Sequence, residues 1–520
     1  MRAMVAVALA LPASALAQTR TDLEYRDTEV DEGDEDLTVR GSFESQYFEY
    51  NNVDFRPLDE TSDQAILDSD DRGAFAFTGA QLEVGYQIDP QIRLVITGSH
   101  RGLWGDDQIG ETNQFGGFIY FPALYVDLNT AADGTGVRFR VGRQFFSLGG
   151  LGDGVRDYVL ADVLDMIRVD VPLGEIGSWT LIPMNVFSTA ADYNEVDFVG
   201  LIGQQDPETF YFRGENLTRR FGTALTLDGL SAPVGGQAHL FYTDLHGRGT
   251  GSDISYQGVL GNFVDNDYVV NYGLRVNVSA GPATPFAELN GSSGIDRKEL
   301  VAQDVDTNGF AWGAGLRIDT TTEESRAGLT AQLRYFEAFG PAYGENGLQY
   351  SHGYVGMKAQ QFGGTLFNRF LGLHPTAYAG RNGISDTPQE RSRKSGARTL
   401  EAFAQYQLQA GLHAQAGVWL VQDSGLSLVD FSDLDNLEPP FGYSRSEFSA
   451  TRRLGQPLGT ELDLDVGWAF GDHLDVFANG AIILPGAFYA IEIDRMAGSA
   501  LGSPTPRSPW ALHTGMRLNF

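Results

Sequence analysis

No cysteine occurs among the 520 residues. That excludes disulfide stapling, thiolate catalysis and sulfur-ligated metal clusters. Long apolar runs are missing too. Nowhere do roughly 18 to 20 apolar residues follow one another, so no membrane-spanning helix is encoded. Lysine is confined to Lys298, Lys358 and Lys394, which leaves 33 of the 36 basic residues as arginine. The eight histidines are scattered and show no metal-ligand spacing. There is no nucleophile elbow and no phosphate-binding loop; Gly150, Gly152 and Gly154 stand close together but lack the βαβ context such a loop needs. With no nucleophile–base pair to nominate, an enzyme is not expected. Positive charge is outweighed, giving a net charge of −32, which argues against nucleic acid as a partner.

What is present points to a membrane barrel. The chain holds 64 glycines, and 12% of it is aromatic. Both suit many turns, a crowded lumen and aromatic girdles. Arg2 precedes an apolar run from Ala3 to Leu11, and Ala15-Leu16-Ala17 reads as a cleavage site. Residues 1–17 are therefore expected to be a signal peptide. Residues 18–36, dense in Asp and Glu, are expected to be an acidic periplasmic tail. The remainder, 37–520, is expected to be one outer-membrane β-barrel. An exported membrane protein without a spanning helix has to be a closed barrel, because only closure satisfies every backbone group in lipid.

The strand pattern is clearest at the end. Trp510, Leu512, Met516, Leu518 and Phe520 share one face of an extended strand, while His513, Arg517 and Asn519 share the other. A last strand ending on Phe resembles the assembly signal of bacterial outer-membrane barrels. Alternating segments of about ten residues recur from Leu37 onward. Seventeen read as clear strands; weaker ones fall at 284–292 and between Tyr354 and Leu373, the latter with an inserted loop near the pore as its alternative. Short connections such as 89–91, 172–177, 410–411 and 471–472 alternate with long ones such as 50–75, 190–218 and 424–457. Short turns belong on the periplasmic side and long loops outside. The fold class expected is all-β, a closed antiparallel barrel of 18 strands, with 16 or 20 open.

If Leu and Val positions face lipid, their neighbours face the pore. This places Arg93, Arg138, Arg140, Arg168, Asp170, Arg275, Arg317, Arg334 and Arg517 on the lumen. Arg143 breaks the alternation: either it sits beyond the lipid band, or a bulge turns it inward. Carboxylates on the same faces include Glu44, Glu83, Glu401, Asp463, Asp465 and Asp475. The arginines either pair with these across the wall or form a constriction that attracts anions. Arg156 and Asp157 are loop candidates for that constriction. Asp304, Asp306 and Asn308 match the first half of a calcium-binding loop, although Gly315 stands where the bidentate acid would be. An ordinary turn is the alternative, and no other cofactor is expected.

Several segments resemble the alginate-export family of outer-membrane channels. They are Val137 to Gln144 with its Gly-Arg-Gln end, Leu164 to Val169, the His-Gly segment Ser351 to Gly356, and the hairpin Val466 to Gly486. The resemblance implies an 18-stranded monomer passing an anionic polysaccharide outward through an arginine-lined lumen. It carries over to Arg138, Arg140, Arg143 and Arg168, and implies a periplasmic export-complex partner. Lipid and lipopolysaccharide are the other partners expected. The residues alone leave two further readings: a diffusion porin for small anions or sugars, and a non-transporting surface barrel acting as adhesin or assembly partner.

Overall fold

The computed structural model describes residues 37–51, 72–104, 118–148, 159–187, 218–231, 233–244, 268–296, 305–306, 308–321, 327–340, 342–343, 349–351, 353–354, 356–357, 363–369, 396–408, 411–425, 457–471, 473–487 and 507–520. The expected signal peptide and acidic tail lie outside them, as do Arg156, Asp157 and Asp304.

The chain runs up and down without a crossover. Its first strands are β1 (Leu37–Asn51), β2 (Arg72–Asp89), β3 (Ile92–Trp104), β4 (Phe118–Asn129), β5 (Arg138–Ser147), β6 (Ala161–Pro172) and β7 (Gly177–Phe187). Then come β8 (Thr218–Ser231), β9 (Val234–Asp244), β10 (Tyr268–Val278), β11 (Ala283–Asp296), β12 (Val305–Asp306), β13 (Gly309–Asp319) and β14 (Gly328–Ala338). The last are β15 (Ala342–Tyr343), β16 (Gln349–Ser351), β17 (Gly396–Gln407), β18 (Leu412–Gly425), β19 (Pro457–Phe470), β20 (Leu474–Pro485) and β21 (Trp510–Asn519). Setting aside the short β12, β15 and β16, 18 strands form one antiparallel circuit. It closes where β1 pairs β21, with Ser42 opposite Asn519 and Asn51 opposite Trp510. The segment 284–292 is a wall strand within β11. Between Tyr354 and Leu373 there is no strand pair among the described residues; a short helix, Thr365–Arg369, occurs there instead.

The alternation of the sequence becomes the two faces of the wall. Leu464, Leu289 and Leu274 point outward and stay more than half exposed. Such a surface is stable only against lipid. Aromatic residues edge it: Trp468 stacks on Phe470 near the Gly471 turn, and Trp312 packs on Tyr335 toward the loop end. At the seam, Gly41 and Phe520 exchange backbone hydrogen bonds of 2.7 and 2.9 Å. A Cβ on Gly41 would lie 2.3 Å from the Phe520 ring, so the terminal ring covers backbone that only glycine leaves open. The turns at the other end of the strands are tight. In the β4–β5 turn, Asp133 accepts from the Thr135 hydroxyl at 2.7 Å, which holds its carboxyl below the ordinary range.

Candidate functional site: the lumen

Inward faces carry the polar residues, and they sort into walls of opposite sign. On β3 to β6 the inward positions include Arg93, Asp127, Arg138, Arg140, Arg168 and Asp170. Arg140 grips Asp127 bidentately at 2.7 and 2.9 Å and lies over the Tyr125 ring at 4.1 Å. Asp170 accepts from Arg138 at 3.1 Å, Arg168 at 2.9 Å and the Thr180 hydroxyl at 2.6 Å. Arg93 donates to the Thr38 hydroxyl at 3.3 Å. Farther round, Glu288 accepts from Arg275 at 2.9 Å and from the fully buried Arg334, which also sits near the Phe336 ring. Arg317 bonds Asp319, and Arg517 bonds Glu44, both at 3.1 Å. Arg138, Arg140, Arg168, Arg275, Arg317, Arg334 and Arg517 thus line the lumen wall while engaging carboxylates of the wall, on their own strand, the next one or, for Arg334, the next but one.

Arg143 is a correction. It stands on the same side of β5 as Phe139, Val141 and Phe145, so it faces out of the barrel. No bulge intervenes: its register partner is Asp165 on β6, and the two pair bidentately at 2.9 and 2.7 Å.

The opposite sign is concentrated on β19 and β20. Glu461, Asp463, Asp465 and Asp475 point inward, and the described inward residues of β18 to β20 include no Lys or Arg. Glu461 was not among the expected lumen carboxylates. The period-2 rule that puts Asp463 inside puts Glu461 there as well, two residues earlier.

Glu461 and Asp463 hold the second element of the site, an in-folded segment from Phe339 to Arg369. Glu461 accepts backbone N–H bonds from Gly364 at 2.9 Å, Phe367 at 3.0 Å and also Leu366. Asp463 accepts from the Thr365 N–H at 2.7 Å and from its hydroxyl at 2.9 Å, and that hydroxyl also lies 2.9 Å from Asn479 Oδ1. Two carboxylates therefore supply the acceptors that the first turn of the helix lacks. A Cβ on Gly364 would meet Asp463 at 2.3 Å, so glycine is needed for the approach. At the other end of the segment, Tyr354 N donates to Phe339 O at 2.9 Å, and Ser351 Oγ to Asn308 O at 2.9 Å.

The segment reaches both sides of the barrel. Tyr354, Leu366 and Phe367 are buried with Phe336, Trp419, Leu458 and Ile483 from the β13–β21 side. Met357 is buried with Phe146, Met166, Ile182 and Phe241 from β5 to β9. These clusters lie across the circuit from one another, so the chain crosses the lumen. Of the expected calcium residues, Asp304 lies outside the described residues. Asp306 is exposed in β12, and Asn308 Oδ1 accepts from Ser293 at 3.0 Å. Among the described residues, no group of three or more His, Asp or Glu is placed to hold a metal.

An apolar outer belt, a charged lumen and a closed 18-strand circuit leave one compartment. The chain is an outer-membrane β-barrel. No family model and no curated protein matches it. Solved barrels of the OprD and Occ porins are similar to it. Pseudomonas aeruginosa OccK9 is 11% identical over 93% of this chain and 99% of its own, with a TM-score of 0.46. OprD of the same organism is 11% identical over 94% of each, with a TM-score of 0.44. Acinetobacter baumannii OccAB4 is 9% identical over 94% of this chain and 99% of its own, with a TM-score of 0.46. The expected kinship with alginate exporters is corrected by these findings: no such family matches, and the barrels found are of the OprD and Occ kind. The Gly142-Arg143-Gln144 motif that carried the resemblance is wall sequence here, with its arginine outside the lumen.

Proposed function

We propose that the barrel is a diffusion channel for small anionic solutes, including acidic sugars. The observation that carries the reading is the in-folded segment, which touches both sides of the lumen between Tyr354 and Phe367. A lumen divided in this way suits small solutes and leaves poor room for a polymer chain. The sign comes from the wall of β3 to β6, away from the latch that Glu461 and Asp463 form on the segment. The described inward charges of β3 to β6 are four guanidiniums against two carboxylates, Asp127 and Asp170. About a third of the way round the circuit, past the β1–β21 seam, the β19–β20 wall is acidic. A small anion passing between the two is drawn to and oriented by the arginine side, with contacts weak enough to release it.

Planar-bilayer recordings test this. The purified barrel should show a reversal potential favouring anions in a salt gradient. Converting Arg138, Arg140 and Arg168 together to Glu should reverse that preference. Liposomes containing the barrel should take up a monomeric uronate faster than its trisaccharide. Unchanged selectivity in the triple variant would sink the anion reading. Absence of any conductance would favour a non-transporting surface barrel.

A further inference from the structure

The Arg143–Asp165 pair is out of place for a lone barrel. Its side chains are 40% and 45% exposed on the outer wall, where lipid would lie. Val141 and Ile167 lie opposite each other on one side of it in register, and Phe145 and Val163 on the other. Arg143 is four residues along β5 from Phe139, a climb of about 10 Å at the usual strand tilt, near the middle of a lipid belt about 25 Å tall. The other described charges on the outer wall, Glu49, Glu337 and Arg398, sit within three residues of the loop ends of their strands. Charged groups at mid-membrane are costly to leave in lipid, even as a pair, and are normally covered by protein.

We infer that the β5–β6 face is the contact surface of a homodimer, the occupant being a second copy of this chain. The argument is charge complementarity under symmetry. Copies inserted with the same orientation can be related by a two-fold axis along the membrane normal. Viewed from outside, each presents Arg143 and Asp165 side by side. Two such faces meeting across the axis reverse the order, so Arg143 of each copy faces Asp165 of the other. The contact is isologous and closes on itself. A cyclic trimer would instead set this face against a different part of the wall, and the described outer wall offers no other charged pair at that depth. The inference stands apart from the transport reading.

The absence of cysteine makes the test clean. Full-length barrel carrying Val141→Cys or Ile167→Cys, reconstituted in phospholipid and oxidised, should cross-link into dimers. Leu464→Cys, on a distant outer face, should not. Arg143→Asp alone and Asp165→Arg alone each place four like charges at the contact, so in the Val141→Cys background each should lower the dimer yield by roughly tenfold. Co-reconstituting the two variants should restore it as a mixed dimer, which a mere folding defect would not. Should either single variant fold poorly, Arg143→Leu with Asp165→Leu keeps the wall lipid-compatible, and dimer loss in that variant supports the interface. Equal cross-linking at Leu464→Cys, a trimeric product, or no rescue on mixing overturns it.

Discussion

The arginine-rich walls and the acidic wall use their charges differently. On β3 to β6 and β10 to β14, guanidiniums meet carboxylates of the wall itself: Arg140 pairs with Asp127 and Arg275 with Glu288 on adjacent strands, and Arg334 on β14 reaches past β13 to the same Glu288. On β19, Glu461 and Asp463 accept backbone N–H groups of the segment that reaches into the lumen. One side thus knits the wall to itself, and the other ties a segment inside the lumen to the wall. The lesson is that charge on a lumen face does not by itself mean contact with solute. Part of it is structural on both walls.

The largest effect should come from the knitted side. Glu288→Ala leaves Arg275 and Arg334 buried without their shared acceptor. Removing one partner of such a buried pair costs about 3–5 kcal/mol. Thermal unfolding followed by gel mobility should show a large drop for Glu288→Ala and a smaller one for Glu288→Gln. Equal and minor losses in both would break the claim that these arginines serve the wall.

Next in size is the latch. Glu461→Ala removes the acceptor of three N–H groups, where each hydrogen bond contributes about 0.5–1.5 kcal/mol. Single-channel conductance should rise as the segment leaves the lumen, and barrel stability should change less than in Glu288→Ala. Gly364→Val, which drives a side chain into Asp463, should act in the same direction. Conductance unaltered in both variants would show that the segment does not limit the pore.

A smaller, sharper difference is expected at Arg140. Arg140→Lys keeps the charge but loses the bidentate grip on Asp127, so anion preference should be retained and stability lowered. If preference disappears with the charge still present, the guanidinium itself touches solute. The smallest effect should be at the seam: Phe520→Ala uncovers Gly41, a cross-strand contact of up to about 1 kcal/mol. Its readout is a modest fall in the unfolding midpoint.

Much of the architecture was legible because lipid outside and water inside impose a period of two on every strand. That rule identified β21 from Trp510 to Phe520, the 18-strand count and the inward set from Arg93 to Arg517. It also contained Glu461, which lay unread beside Asp463. The same rule put Arg143 outward, and the prior that lipid-facing positions are apolar argued wrongly for a bulge. The segment from Phe339 to Arg369 carries no barrel periodicity: its described ladder pairing is confined to the short β15 and β16, and Tyr354, Met357, Leu366 and Phe367 pack on side chains from many strands. Its path was open in the sequence, and its anchoring could not be read there.

What the sequence by itself determined is the solvent on each side of the wall, since alternation is local and needs no partner. The pairing of charges between strands depends on register between residues 13 to 473 positions apart in the chain. Only the closed circuit sets that register. The tertiary structure alone therefore decided that Glu288 serves two arginines, that Glu461 and Asp463 hold the crossing segment, and that Arg143 and Asp165 stand together in the lipid belt.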